Sequence, residues 1–525
     1  MAVTLKRSVG AFGLMFTAVS GILGSGWLFG PYYSAMLSGP AAVFAWLFAF
    51  IAILLIAMTF AELACMFPVA GGNARFIYFT HGTLASFIFS WVLYLGYAAV
   101  APIETMGVLQ YLASVWPWVV EKTLGVAVLT PSGYGLAAVI LLFLCVLNFQ
   151  SIKWLSRYNS VIVWFKLVIP IFIGVLFILI SFHSSNFFEL PGGVMPSGFS
   201  GMAKALTQGG IILSFVGFAP VIVLAGEAKN PQKSIPLVLV GALGVCLLIY
   251  LLLQISFIGA LSPHMLAHGW SALSFKHDAS PFLGMADSLG LKHVKLLVFL
   301  IAIIAPLGTA LIFVTTSARV AYAMAQNGYL PEVFKKLSKH HVPFVAIILN
   351  FVLGMFLFFP APGWQGMVSF LVSAFVLCYA VGPVALLSLR KQLPNQPRPF
   401  RLPWANLLSF LAFFIGNFLV YCTGWTTVFH MLFAVLIGLF VLGLIRVFKS
   451  QEVLNLKESL WVFAYLIGLG VISYLGEFGG KNILKPGFDI LVLFIFSGLI
   501  LNLALRSKMK TVCLPKDVNA AVEYL

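Results

Sequence analysis

The sequence predicts an all-α protein that crosses a membrane many times, and three observations carry that expectation. Of 525 residues, 62% are hydrophobic and only 8% charged, with a mean hydropathy of +1.07, whereas an average soluble domain is about 45–50% apolar and about 25% charged. The apolar residues fall into runs of roughly the 20 residues a helix needs to cross a bilayer. The basic residues gather in alternate loops between those runs, as the cytoplasmic preference of Lys and Arg requires. The formal net charge of +16 is therefore read as membrane topology. Its cations lie singly and in pairs, without the aromatic platforms of a nucleic-acid surface, so the lipid bilayer is the expected partner and nucleic acid is not.

By the length rule about fourteen spans are expected, near residues 9–35, 40–66, 83–115, 134–150, 158–181, 203–227, 235–260, 294–325, 343–359, 364–391, 404–424, 428–448, 459–476 and 486–506. They are called helices one to fourteen. With the N-terminus inside, the inner loops receive Lys6/Arg7, Arg75, Lys153/Arg157, Lys229/Lys233, Lys335/Lys336/Lys339, Arg390/Lys391/Arg398/Arg401, Arg446/Lys449/Lys457 and Arg506/Lys508/Lys510. The outer loops hold Lys122, Lys276, Lys292, Lys295, Lys481 and Lys485. A span added or missed would invert every loop after it, so both termini are expected in the cytoplasm. The basic start, MAVTLKRSVG, leads into an apolar run too long for a signal-peptide core, and it is expected to stay as helix. The longest outer loop, about 261–293, contains HGWSALSFKHD and is expected to carry a short surface helix. No soluble domain is left over.

Helix one contains SGILGSG, Ser20 to Gly26. In hydrocarbon a broken helix leaves N–H and C=O groups unpaired at several kcal/mol each, so such a break survives only where protein or a polar cavity satisfies it. The cluster is either a packing face, with Gly26 and Gly30 as a GxxxG pair, or a binding site. Helix six, GGIILSFVGFAPVIVLAGEAKNP, is interrupted in the same way by Ser214, Gly217, Ala219 and Pro220. Interrupted helices one and six, separated by four uninterrupted ones, are what an inverted five-plus-five repeat produces, with the breaks meeting at the midplane. The repeats are then 1–181 and 203–391, and 404–525 adds helices eleven to fourteen and a short cytoplasmic tail. Half-helix N-termini offer N–H groups to a carboxylate, and the opposing carbonyls accept from an ammonium. An amino acid carries both groups.

These residues carry a family resemblance. SGILGSG resembles the glycine-serine break of the amino acid/polyamine/organocation transporters, and FAELACMFPVAGGNARFIYFTHG (Phe60 to Gly82) their end of helix two and following loop. GFAPVIVLAGEAKNPQKSIP (Gly217 to Pro236) is similar to their helix-six signature, SARVAYAMAQNGYLPEVFKKLSKHHVP (Ser317 to Pro343) to their helix-eight signature and following loop, and RPFRLP (Arg398 to Pro403) to their loop before helix eleven. Within the family, the fourteen spans and APIETMGVLQY are similar to the bacterial aspartate–proton symport permeases. The resemblance implies a LeuT-like fold in a bacterial inner membrane and alternating access. It also implies a small-molecule amino acid substrate, and a proton as coupling ion with no other cofactor.

It further implies a site. The substrate carboxylate would lie on the amides of Ser25 and Gly26 with Gly24 beside them, and its ammonium on carbonyls near Ile22 and from Ser214 through Phe215, Gly217 and Phe218. Phe215 or Phe218 could close over it. Helix five carries Lys166 between apolar neighbours, where a lysine costs roughly 2.5–3.5 kcal/mol on insertion scales. It either snorkels to the inner interface or, as the proton-coupled relatives imply, replaces a cation and ties helices one, five and eight together. Glu104 on helix three is a second intramembrane ionisable group, which either pairs with Lys166, titrates with it in proton coupling or selects a cationic substrate, or else is an outer-interface carboxylate in water. Gln110 and Tyr111 follow it toward the outer side as interfacial residues.

Glu62, Glu227 and Arg319 lie at cytoplasmic ends of spans. An ion pair of Glu227 with Lys229, or of Arg319 with a carboxylate, would be an inner gate; fixed topology and helix capping are the alternative. KKLSKHH is a solvated basic loop. One position departs from many relatives: the residue after GF of helix six is Ala219 rather than a carboxylate. That weakens a proton route there and suits an acidic or neutral substrate.

Other classes fare worse. The nine histidines lie mainly in loops with no catalytic set, so an enzyme is not expected, and no filter-like loop suggests a channel. The six cysteines are separate packing residues, with no CxxC pair. A transporter-like nutrient sensor would be expected to append a signalling domain. Between symport and exchange, Lys166 favours symport, because an exchanger needs no ion site. Oligomeric state and the role of helices eleven to fourteen are not encoded in any recognisable motif.

Overall fold

The structure, a computed structural model, describes residues 9–69, 72–123, 126–150, 152–275, 280–339, 342–359, 363–448 and 454–512. Lys6, Arg7, Lys276, His277, His340, His341, Lys449 and Cys513 fall outside these residues, as do the side chains of Lys122, Lys153 and Arg157. The described chain is nearly all helix. Helix one comprises Ala11–Ile22 and Gly26–Ser38, followed by two at Ala42–Met66, three at Gly72–Leu112, four at Pro131–Asn148 and five at Ile152–Ile180. Helix six is built from Gly198–Thr207, Ile211–Phe215, a tight turn at Val216–Phe218 and Ala219–Val223. Helices seven to nine are Pro231–Ala260, Lys292–Gln326 and Phe344–Leu357, and ten comprises Gly363–Tyr379 and Val381–Gln392. The last four are Ala405–Cys422, Trp425–Phe448, Leu456–Leu475 and Phe488–Ser507.

Each predicted span has a helical counterpart, but length and apolarity establish fewer crossings than fourteen. Among the described residues eleven helices are long and apolar enough, or twelve if the two pieces of helix six, bent by 45°, form one span. Helix nine and the first half of helix one, with 14 and 12 residues, are too short to cross alone. The apolar stretch Gly26–Met66 holds 41 residues, about 60 Å of helix and twice a bilayer core. It is divided at Gly39, whose φ of +59° suits a residue without Cβ.

Three local expectations change. The stretch expected to be loop before helix three is helical from Gly72, and the discontinuity falls at Gly82, with φ 74° and ψ −160°. The freed N–H of Thr83 donates to the Asn455 side chain and that of Ala85 to Ser459, so the segment before helix thirteen and its first turn cap the break. Before helix four, a hairpin pairs Val120–Thr123 with Val126–Leu129 in antiparallel register; its residues alternate too briefly to stand out. The loop after helix seven carries short surface turns of 3-10 helix at Pro263–Leu266 and Trp270–Ala272, but its longer helix, Pro281–Ser288, is packed inside: Phe282 is fully buried, with its ring 5.4 Å from that of Trp27.

The periphery is apolar. Trp164, Phe165 and Val168 stand 59%, 49% and 58% exposed around a Lys166 that is 0% exposed, so helix five turns one face outward and its cation inward. An exterior this apolar suits lipid and not water. Inside, the two interruptions cross. A Cβ on Gly21 would sit 2.7 Å from the Gly217 carbonyl oxygen, a contact only glycine avoids. The packing reading of the glycines is thus part of the answer, because the two breaks can meet only where neither chain carries a side chain.

Gly21→Ala should therefore lower the melting temperature of the detergent-solubilised protein by several degrees, since overpacking against backbone has no rotamer to yield. Gly135→Ala, where a Cβ meets nothing within 4 Å, should leave it unchanged.

Candidate functional site

Helix one stops at Ile22 and restarts at Gly26. Ser25, the residue before the restart, makes no side-chain cap of its own. Its backbone N–H instead donates to Glu104 Oε2 at 2.7 Å. Glu104 is 4% exposed, which corrects the reading of a carboxylate in interfacial water. Gln110 and Tyr111 are likewise buried, and the Tyr111 hydroxyl donates to the Leu28 carbonyl at 3.2 Å. Helix three runs through Pro102 without stopping, so Glu104 is delivered by a continuous helix. Gly24 lies so close to this carboxylate that a Cβ there would collide with it.

The opposite pole is also met by protein. The Tyr250 hydroxyl, on helix seven, donates to the Ile22 carbonyl at 2.8 Å and the Ser214 carbonyl at 3.0 Å, and the Tyr379 hydroxyl donates to the Val216 carbonyl at 3.1 Å. Gly26 faces Ser214, whose hydroxyl donates to the Gly210 carbonyl at 2.9 Å. Phe215 is buried edge-on against Tyr250 and Trp46, with centroids 5.3 and 5.8 Å away, and Phe218 packs on Tyr379 at 5.1 Å. Both rings therefore buttress the break in helix six.

Lys166 does not snorkel. Its ammonium donates to the Ser20 carbonyl at 2.8 Å, the Ser20 hydroxyl at 3.1 Å and the Thr309 hydroxyl at 2.9 Å, while Thr309 donates to the same Ser20 carbonyl at 2.7 Å. One cation thus joins helices one, five and eight. It fits there because residue 308 is Gly: a Cβ would lie 3.1 Å from Lys166 Cε. Among the described residues Lys166 and Glu104 form no direct ion pair. Each is bound to helix one instead, Glu104 at Ser25 and Lys166 at Ser20.

Both ends of the break are covered. On the side of the second half-helix, Gly26–Ser38, the Trp364 indole N–H donates to the Ser25 hydroxyl at 2.7 Å, and its ring stacks on Phe29 at 4.7 Å. At the other end Arg319 and Glu227 pair at 3.1 Å with side chains 15% and 4% exposed; no N–H is aligned on that Glu227 oxygen. Val9 N–H donates to the Glu227 carbonyl at 3.0 Å and Lys229 N–H to the Val9 carbonyl at 2.9 Å, which ties the start of helix one to the end of helix six. Glu62 belongs elsewhere. Fully buried, it receives Arg390 at 2.9 and 2.6 Å and the Leu402 amide at 2.7 Å, with Arg398 at 3.4 Å, so it fastens helix two to the end of helix ten and the following loop.

Tyr250, Tyr379, Thr309, Ser20 and Trp364 were not singled out from sequence. Tyr250 carried a weak signal, because tyrosine is enriched at membrane interfaces and this one lies mid-span. Nothing distinguishes Trp364 among 12 tryptophans before the fold places it on Ser25.

The profile of the amino acid permease family matches residues 9–472. The chain belongs to the amino acid permease family. Over 98% of its length the permease is 36% identical to the glutamate/serine transporter AimA of Bacillus subtilis, covering 97% of that protein. The aspartate-proton symporter of the same organism is 33% identical over 99% of the permease and 98% of its own length. The branched-chain amino acid permease BcaP, also of Bacillus subtilis, is 29% identical over 83% of the permease. The permease is accordingly a multi-pass membrane protein of a transporter family.

The loose Arg319–Glu227 pair should govern access from its end. With the six native cysteines replaced and a single thiol at Ala18→Cys, Arg319→Gln is expected to speed labelling by an aqueous thiol reagent from that side several-fold.

Proposed function

We propose that this permease is a proton-coupled symporter that takes up an acidic or small neutral amino acid across the bacterial inner membrane, with both termini in the cytoplasm. The observation that carries it is the Lys166 ammonium on the Ser20 carbonyl and the Thr309 hydroxyl. A protonated amine makes charge-assisted hydrogen bonds roughly twice as strong as neutral ones, so it holds helix one against helices five and eight. Losing the proton weakens those bonds and frees helix one to move. Proton binding and the position of the substrate site are then one equilibrium. The two most similar relatives named above, a glutamate/serine transporter and an aspartate-proton symporter, support both the coupling ion and the substrate class.

In this reading residues 1–181 and 203–391 are the inverted repeats, and the crossing of Gly21 with Gly217 is where their interrupted helices meet. The substrate carboxylate binds the Ser25 and Gly26 amides. Its ammonium binds the Ile22 carbonyl and helix-six carbonyls from Ser214 to Phe218. Glu104 and Lys166 are the ionisable groups beside it, Arg319 with Glu227 is the inner gate, and the packed Phe215 ring supports the outer closure. No cofactor beyond the proton takes part. The chemistry is translocation, with no bond made or broken.

Uptake of radiolabelled L-aspartate, L-glutamate, L-serine and L-leucine into sodium-free proteoliposomes, with and without an inward proton gradient, tests this. Gradient-dependent accumulation of an acidic or small neutral amino acid is expected. Lys166→Ala should reduce that accumulation to the level of protein-free vesicles. Movement only into vesicles preloaded with amino acid would identify an exchanger instead.

A further inference from the structure

Both poles of the proposed substrate seat are already occupied by the protein. The Ser25 amide, assigned to a substrate carboxylate, receives the Glu104 carboxylate at 2.7 Å. The Ile22 and Ser214 carbonyls, on the ammonium side, receive the Tyr250 hydroxyl at 2.8 and 3.0 Å. Glu104 and Tyr250 come from helices three and seven, which lie outside both breaks, and they reach the same few backbone atoms from different directions. A single N–H cannot serve two carboxylates at full strength, so a substrate bound at Ser25 must displace Glu104.

We propose that Glu104 is an internal stand-in for the substrate carboxylate, with the Tyr250 hydroxyl as its counterpart at the amine end. The proposal rests on the substrate seat given above. In the unloaded carrier these two groups satisfy a break that would otherwise leave bare N–H and C=O groups at membrane depth. An arriving amino acid replaces one carboxylate with another and one donor with another. The seat therefore has two interchangeable occupants. With substrate it closes and carries cargo, and with Glu104 it closes empty and returns, which is the step a symporter needs and an exchanger lacks.

A merely structural cap makes the opposite prediction. If Glu104 only braces the half-helix, shortening or neutralising it should loosen the seat and weaken binding. If it competes with substrate, the same changes should tighten binding.

The experiment measures equilibrium binding of L-glutamate and L-serine to the purified full-length protein, wild type against Glu104→Asp and Glu104→Gln. Glu104→Asp keeps the charge beside Lys166 but withdraws the carboxylate by one C–C bond, about 1.5 Å, beyond reach of Ser25. Competition predicts a Kd roughly tenfold lower in both variants. A pure charge effect on Lys166 would tighten Glu104→Gln and leave Glu104→Asp at the wild-type value, and L-serinamide, which lacks the carboxylate, should gain nothing in either variant. In proteoliposomes both variants should lose net uptake far more than exchange. Wild-type or weaker binding by Glu104→Asp, or equal loss of net uptake and exchange, overturns the proposal. Failure of the wild type to bind any amino acid would instead overturn the transport reading on which it rests.

Discussion

The rest of the structure depends on the backbone of residues 23–25, which is not helical although it lies buried within an apolar helix bundle. Every polar atom released there must find a partner within the protein. The structure supplies them from four directions: Glu104 on the Ser25 amide, Tyr250 on the Ile22 carbonyl, Lys166 and Thr309 on the Ser20 carbonyl, and Trp364 on the Ser25 hydroxyl. Helices three, seven, five, eight and ten are thereby positioned by one short segment.

Charge is handled consistently with that constraint. Removing one partner from a buried pair leaves an uncompensated charge at a cost of about 3–5 kcal/mol, and two of the buried ions here are held by several donors or acceptors each. Lys166 has three oxygens, and Glu62 has two arginines and an amide. The Arg319–Glu227 pair differs in alignment, since among the described residues no N–H is aligned on the Glu227 oxygen that faces Arg319.

The helices beyond the tenth have a visible structural task. Asn455 and Ser459 cap the break at Gly82, the Met509 amide donates to the Thr80 carbonyl at 2.8 Å, and His81 meets the Ala504 carbonyl at 2.9 Å. Helix three, which carries Glu104, is thus braced at one end by helices thirteen and fourteen. Both are tied to helix eleven by polar bonds, with the Tyr465 hydroxyl on Asn417 at 2.7 Å and Asn417 on Ser497 at 2.9 Å.

The sequence by itself determined the membrane class, the helical segments and the two interrupted helices, because apolar run length, basic-loop alternation and glycine placement are local properties that the bilayer reads directly. It also marked Lys166 and Glu104, since an ionisable side chain between apolar neighbours is costly wherever it goes. Tertiary structure alone decided their partners. Whether Lys166 reaches an interface or Ser20, and whether Glu104 meets water, Lys166 or the Ser25 amide, depends on which face of each helix turns inward. Pairing across 79 and 146 residues of chain leaves no local trace. For the same reason Thr309 and Trp364 looked like any other membrane threonine or tryptophan until packing brought each to the same break, and the mid-span position of Tyr250 gave no hint of its partner.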